Sequence, residues 1–198
     1  MAELMNLYQH LQRVVQIALP QALMENGITG KLNGAAIRAT IHVKDIVFSD
    51  YFYQIVDYYP IKSSAAGRRF SQRFGIVGRC FRLEESLGEG QAMTDEATPE
   101  RSLITDWGMT KQEAYPVTRA RPSYLAIILL GIEDGEFPIG VLFIDAEQED
   151  RFGDNSKASK VARELESSSE VVALRKSLAQ AMAPLRLAAP NIDIGQGR

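Results

Sequence analysis

Arg121 to Phe152 reads RPSYLAIILLGIEDGEFPIGVLFIDAEQEDRF, and this stretch decides the fold. Ser123–Ile132 and Phe137–Asp145 are each apolar on both alternations, which a strand shows when it is covered on two faces. Between them the Asp134-Gly135 pair is the signature of a tight turn. The reading is a central antiparallel hairpin. Its longest apolar run is about nine residues, against roughly 20 needed to span a bilayer, so no membrane span is expected here.

Working outward, Ile37–Lys44 (IRATIHVK) alternates apolar and polar with period two and predicts a strand. Asp50–Tyr59 is dense in Tyr, Phe, Ile and Val and predicts a second strand paired with it, ended by Pro60. Glu3–Asn26 repeats Leu4, Leu7, Tyr8, Leu11, Val14, Val15 and Ala18 at steps of three and four, the stripe of an amphipathic helix. Pro20 predicts a kink or a second start in it, and Gly27 a stop. Ser63–Glu85 predicts helix in two pieces, with Phe70, Phe74, Val77 and Phe81 as the buried face and Gly75 and Gly78 at the joint. Ser86–Arg121 turns to Gly, Asp, Thr, Pro and Arg and predicts a long excursion, the kind of segment where binding happens.

Beyond the hairpin, Asp154 or Asn155 caps a helix, and Ser167 with Glu170 repeats the capping-box spacing at a further start. Val171, Leu174, Leu178, Ala181 and Leu185 then form a short a/d seam. Such a seam packs on the sheet together with the first helix, or completes a bundle between two subunits. Pro190–Arg198 reads as a flexible tail.

Helix, paired strands, helix, excursion, hairpin and terminal helices in that order belong to the α+β class. With GIVGRCFRLEESLGEG at Gly75–Gly90 and the quoted hairpin, the chain resembles the GAF domain family over residues 2 to 188. PAS and profilin-like sensor folds share the layered logic. The resemblance implies about six antiparallel strands in one sheet, with the N- and C-terminal helices on one face and a pocket-forming helix and loop layer on the other. It divides residues 1–188 into an N-terminal helix (1–27), a core (35–152) and C-terminal helices (155–188), ahead of the tail at 189–198. Its members range from cyclic-nucleotide, tetrapyrrole and small-molecule sensors to plain dimerisation modules, and a fold does not choose among these.

The 198 residues hold 22 Lys plus Arg against 25 Asp plus Glu, a net charge of −3 that argues against a dedicated nucleic-acid binder. One cysteine excludes an internal disulfide, a zinc ribbon and a CxxC redox pair. Two histidines, His10 and His42, leave little for a metal centre, and the start MAELMNLYQHLQR lacks the form of a secretory signal. These features point to the cytoplasm. No P-loop, nucleophile-elbow or zincin motif occurs.

Tyr58–Leu83 carries Lys62, Arg68, Arg69, Arg73, Arg79 and Arg82 with no Asp or Glu. Guanidinium groups favour phosphate and carboxylate through bidentate bonds. Arg69, Arg73 and Arg79 are therefore candidates to hold an anionic, nucleotide-like ligand, with Arg121 reaching from the opposite rim. A solvated face paired with Glu84, Glu85, Asp95 and Glu96 is the plainer alternative. Trp107 and Tyr115 are candidates to stack on a planar ligand, or else plugs for their loop. Ser123 is a candidate hydroxyl donor. Cys80 reads as a small core residue, followed by Phe81 where chromophore-binding relatives place His; free methionine sulfoxide reductases of this fold use more than one cysteine. His42, on the polar alternation of its strand, reads as a surface or hydrogen-bonded histidine. The acidic run Asp145, Glu147, Glu149, Asp150 and Asp154 lacks EF-hand spacing and reads as capping and solubility.

The expected function is a cytoplasmic sensory or regulatory module that binds a small ligand, an anionic, nucleotide-like one being the candidate, and signals through a homodimer of its terminal helices. It needs no cofactor, metal, nucleic acid or membrane. The alternatives are a scaffold whose pocket is filled by Phe74, Phe81, Trp107 and Tyr115, and an enzyme of this fold.

Overall fold

The computed structural model describes residues 2–29, 37–60, 65–73, 75–90, 104, 110, 111, 123–131 and 137–188. The apolar hairpin of strands β5 (Ser123–Leu130) and β6 (Pro138–Ala146) lies inside a six-stranded antiparallel sheet. Around it stand β1 (Ile37–Lys44), β2 (Tyr51–Gln54), β3 (Arg69–Ser71) and β4 (Leu87–Glu89), in the order β3-β2-β1-β6-β5-β4. β6 is flanked by β1 along Ile37–Val43 and by β5 along Ser123–Leu130, which is why it reads apolar throughout. The Asp134-Gly135 turn lies outside the described residues.

Successive side chains on a strand point to opposite faces. The back face gathers Ile37, Ala39, Ile41, Leu125, Ile127, Leu129, Leu142 and Ile144, all buried, under three helical elements. These are the N-terminal helix, α4 (Asn155–Ser167) and α5 (Ser169–Ala188). The smaller front core joins Phe52, Ala126, Ile128 and Val141 to Ile76, Val77 and Cys80 of α3 (Gly75–Leu83). This is the α+β layering that the GAF resemblance implies, with both chain ends on one face.

Local chemistry explains the departures. The N-terminal helix does not break at Pro20; α1 (Ala2–Arg13) runs through a π-helical turn, Val14–Ala18, into α2 (Leu19–Glu25). The widened turn carries the chain past a residue that has no N–H to donate. At the stop, Gly27 has φ +67° and donates to the Met24 carbonyl (3.0 Å), while the Ile28 N–H reaches the Leu23 carbonyl (2.9 Å), a Schellman closure. The second strand is shorter than its β-rich composition. β2 ends at Gln54, whose amide donates to Thr40 Oγ1 (3.1 Å) and the Val56 carbonyl (3.1 Å), and Thr40 Oγ1 donates to the same carbonyl (2.7 Å). The Ile55 N–H still donates to the Ile41 carbonyl (3.1 Å), and beyond it these side-chain bonds stand in until Tyr59 rejoins Ala39.

The first of the two helical pieces expected in Ser63–Glu85 is strand β3, because Gly75 (φ +68°) interrupts the backbone between Phe70 and α3. Phe70 pairs with Phe52 across β2 instead. Asp154 caps α4 by accepting from the Lys157 N–H (2.9 Å). α5 is capped one residue later than its capping-box spacing suggests, by Ser168 Oγ accepting from the Val171 N–H (3.3 Å). Val171, Leu174 and Leu178 are buried within the chain's own back core, against the N-terminal helix and the sheet. The α1–α5 contact is stitched by Asn6 Nδ2 donating to Ser177 Oγ (3.3 Å) and by a Ser177–His10 bond (2.8 Å). These three members of the seam are therefore spent inside one chain, while Ala181 is half-buried.

His42 is not at the surface. β1 is buried on both faces, so its polar alternation points into the front layer, where His42 is 4% exposed. Its ring meets Phe70 edge-on at 4.6 Å and Phe143 at 6.0 Å, and Nδ1 has no hydrogen-bond partner. Burial pushes its pKa down from 6.5 to about 3. The unfolded chain thus binds a proton between pH 6.5 and 3 that the native state refuses, so stability is full above pH 6.5 and falls as pH drops through that window. The expected slope is up to about 1.4 kcal/mol per pH unit. Urea titrations across pH 3–7 on the wild type and on His42→Phe check it. The variant should lose that component, and parallel profiles would contradict this account of His42.

Candidate functional site

Cross-strand register arranges the front face in rows. Leu87, Ala126, Phe143 and Thr40 form one row across β4, β5, β6 and β1. Ile128, Val141, His42 and Gln54 form another across β5, β6, β1 and β2. Helix α3 packs on this apolar part through Ile76, Val77 and Cys80. At the other end of the same strands lies a polar row, Glu89, Tyr124, Asp145 and Arg38, each opposite the next across β4, β5, β6 and β1. α3's buried side chains cluster with the apolar rows, and from the polar row the half-buried Tyr124 ring packs against that cluster while Glu89, Asp145 and Arg38 are not part of it.

The polar row is built around an ion pair. Arg38 Nε donates to Asp145 Oδ1 (2.9 Å) and Oδ2 (3.1 Å), and the Asp145 side chain is only 3% exposed. The Arg38 guanidinium carbon lies 3.8 Å from the centre of the Tyr58 ring. Burial pulls the Arg38 pKa down, but the hydrogen bond and charge of Asp145, with Tyr58 and Glu147, outweigh it and the net shift is upward. Arg38 therefore stays charged at any physiological pH. Beside the pair, the Tyr124 ring stacks on Phe143 with centroids 5.7 Å apart. The row offers a cation, two carboxylates and an aromatic ring on a floor fixed by four strands.

The candidates named from sequence fall elsewhere. Arg69 lies on the back-face side of β3, opposite Tyr53, and its Nε is 2.6 Å from Asp45 Oδ2. Its guanidinium is already engaged, which holds the Asp45 carboxyl below its usual range although burial opposes this. Arg73 borders an open cleft of about 370 Å³ with Asp50, Gln72 and Arg82 at the β3–α3 corner. Arg79 is exposed on the outer side of α3. Ser123 is buried on the back face opposite Ala146, and donates to the Glu89 carbonyl (3.4 Å). Trp107, Tyr115 and Arg121 lie outside the described residues, as does Phe74. The described arginines of the run thus do not converge with Ser123 on one pocket.

Cys80 is fully buried, its Sγ is 3.5 Å from the Ala126 carbonyl, and burial pushes its pKa well above the usual thiol range. A protonated, inaccessible thiol is a packing group and not a nucleophile. Among the described residues, no group of three or more His, Cys, Asp or Glu is placed to hold a metal ion, and no helix is long and apolar enough to cross a membrane.

No family model and no curated protein matches the sequence. Among solved structures, the chain is similar to the GAF domain of a phosphoenolpyruvate-protein phosphotransferase from Acinetobacter, at 15% identity and TM-score 0.48, over 95% of this chain and 97% of that one. It is similar to the corresponding GAF domain from Coxiella burnetii, at 18% identity and TM-score 0.48, over 87% and 96%. It is also similar to the free methionine-R-sulfoxide reductase of Neisseria meningitidis, at 16% identity and TM-score 0.44, over 86% and 89%. With all three TM-scores below 0.5, no ligand or activity transfers from these likenesses; the GAF-like description rests on the six-stranded antiparallel sheet with both terminal helical segments on one face.

Proposed function

We propose that the chain is a sensory or regulatory GAF-like module, acting in the cytoplasm, whose small-molecule ligand sits on the polar row Glu89–Tyr124–Asp145–Arg38. The observation that carries this reading is the division of the front face into an apolar part packed by α3 and a row of charged groups, Glu89, Asp145 and Arg38, outside that packing, with the Tyr124 ring at the border between them. Arg38 is set beside Asp145 and Glu147, and Glu89 stands at the far end of the row on β4, so the described row is richer in carboxylates than in cations. That balance supports a zwitterionic or amine-bearing ligand, with Tyr124 as a stacking surface, over the nucleotide-like anion that the arginine run suggests.

The row also explains how occupancy would be felt. Arg38, Tyr124 and Asp145 alternate along their strands with Ile37, Ala39, Leu125, Ile144 and Ala146, which pack in the back core with the terminal helices. A ligand that draws these strands together acts on the α1–α5 layer through a close-packed core, provided it contacts two packings of that layer differently. A homodimer through the terminal helices remains part of this proposal through exposed Leu4, Met5 and Ile17, since Val171, Leu174 and Leu178 of the α5 seam are internal.

A thermal-shift panel of free amino acids, small amines, nucleotides and cyclic nucleotides tests the reading. A ligand at about 100 times its Kd adds about 2.7 kcal/mol, or roughly 5–10 °C for a domain of this size. The expected result is such a rise with an amino acid or amine, lost in Tyr124→Ala. A panel with no shift favours the ligand-free scaffold, and a shift that survives Tyr124→Ala removes the row as the site.

A further inference from the structure

The arginine run has a second neighbour that the polar row does not explain. At the tip of the β1–β2 hairpin, Ile46, Val47 and Phe48 are 56%, 71% and 52% exposed, three consecutive apolar side chains in water. The tip is held in that shape. Asp45 Oδ1 accepts from the Val47 N–H (2.8 Å) and the Phe48 N–H (3.0 Å), and its Oδ2 takes Arg69. The Phe48 ring leans edge-on against exposed Tyr51, with centroids 6.3 Å apart.

Positive charge rims this apolar tip. The Arg69 guanidinium lies 5.3 Å from the Phe48 ring centre. The adjoining cleft carries Arg73 and Arg82 with Asp50 and Gln72, and the Gln72 amide donates to the Ser49 carbonyl (2.9 Å), tying cleft to tip. Arg79, one turn before Arg82 on α3, is exposed as well. Arg69 at the ring, and Arg73 and Arg82 in the adjoining cleft, where Arg82 Nη1 also donates to the Gln72 carbonyl, thus flank a turn holding two aspartates, one of them paired with Arg69, in a chain whose net charge is −3.

We infer that this corner docks on an anionic lipid surface, with Ile46, Val47 and Phe48 entering the interface and Arg73, Arg79 and Arg82 facing lipid phosphates. Apolar groups at the acyl boundary with basic residues at headgroup level are what such a surface rewards. A protein partner fits less well. One hairpin tip exposes on the order of a few hundred Å² of apolar surface, the size of an ordinary monomer's largest patch and short of the ~800 Å² per partner of a stable interface. A bilayer accepts a small wedge without a matching pocket. The sequence expectation of no membrane partner rests on spanning length and on the few basic residues beside the first helix's apolar stripe, neither of which concerns the β1–β2 tip.

The test is co-sedimentation of the full chain with vesicles of phosphatidylcholine alone and of phosphatidylcholine mixed with phosphatidylserine. Binding to the anionic vesicles only is expected, weakening as salt rises. Ile46→Ser/Val47→Ser should weaken it at least ~10-fold with an unchanged melting point, because both side chains are in water. Arg73→Gln/Arg82→Gln should weaken it about 25-fold, roughly fivefold per arginine, with a shallower salt dependence. Absence of binding, equal binding to both vesicles, or serine variants that bind like wild type would overturn the inference. So would retention on immobilised polyglutamate without vesicle binding, which would give the arginines to an acidic protein. None of these outcomes bears on the polar row.

Discussion

Removing residues 170–198 is expected to abolish the cooperative thermal transition, because α5 is part of the core and not an appended coil. Val171, Leu174 and Leu178 are fully buried and Met182 nearly so. At about 1.5–3 kcal/mol for each buried apolar side chain, the four are worth roughly 6–12 kcal/mol, against the 5–15 kcal/mol that is about all a domain has. Arg175 adds bonds to the Leu130 carbonyl (3.0 Å) and the Gly131 carbonyl (3.3 Å) that pin the end of β5. Leu174→Ala alone should cost about 2–5 kcal/mol. Circular-dichroism melts and urea titrations check both. A truncated chain melting near the wild-type midpoint would mean that the back layer does not depend on α5. Truncation therefore cannot report on a dimer; the dependence of the melting point on protein concentration does.

Arg38→Met is expected to destabilise the chain by about 3–5 kcal/mol, because it strands the Asp145 carboxylate in a site where its side chain is 3% exposed. At 2–4 °C per kcal/mol that is a fall of roughly 6–20 °C in melting point. The size comes from the uncompensated charge and not from the attraction of the pair. Arg38→Met/Asp145→Leu, which removes both charges, should therefore recover most of the loss. A single variant within about 1 kcal/mol of wild type, or a double variant as damaged as the single, would show that the pair is not the keystone of the row.

The sheet was legible because its signals are local. The apolar hairpin, the period-two alternation of Ile37–Lys44 and the 3.6-residue stripe of the first helix each state which face is buried. The candidate site was not, because it depends on register. Nothing in the chain before folding says that Arg38 stands opposite Asp145, 107 residues away, or that Tyr124 stands between Asp145 and Glu89. Asp145 reads as one acid in an acidic run, and Arg38 as the polar side of a half-buried strand. The signal that was present is the two-sided burial of β1, whose central position follows from the apolar strength of its neighbours; its polar residues then have to face an interior. The arginine run is the opposite case. Clustering in sequence does not bring its described members to the polar row: alternation sends Arg69 to the back face, the helical turn sends Arg79 to solvent, and Arg73 and Arg82 line the cleft at the β3–α3 corner.

The most direct measurement is a crystal structure of the chain soaked in mixed free amino acids and small amines. Bound density on the front face, over Tyr124 and within hydrogen-bond reach of Arg38 or Asp145, is the predicted result. Density confined to the Asp50–Arg73–Arg82 cleft or the back layer, with Tyr124 covered by the chain's own side chains, would contradict the account.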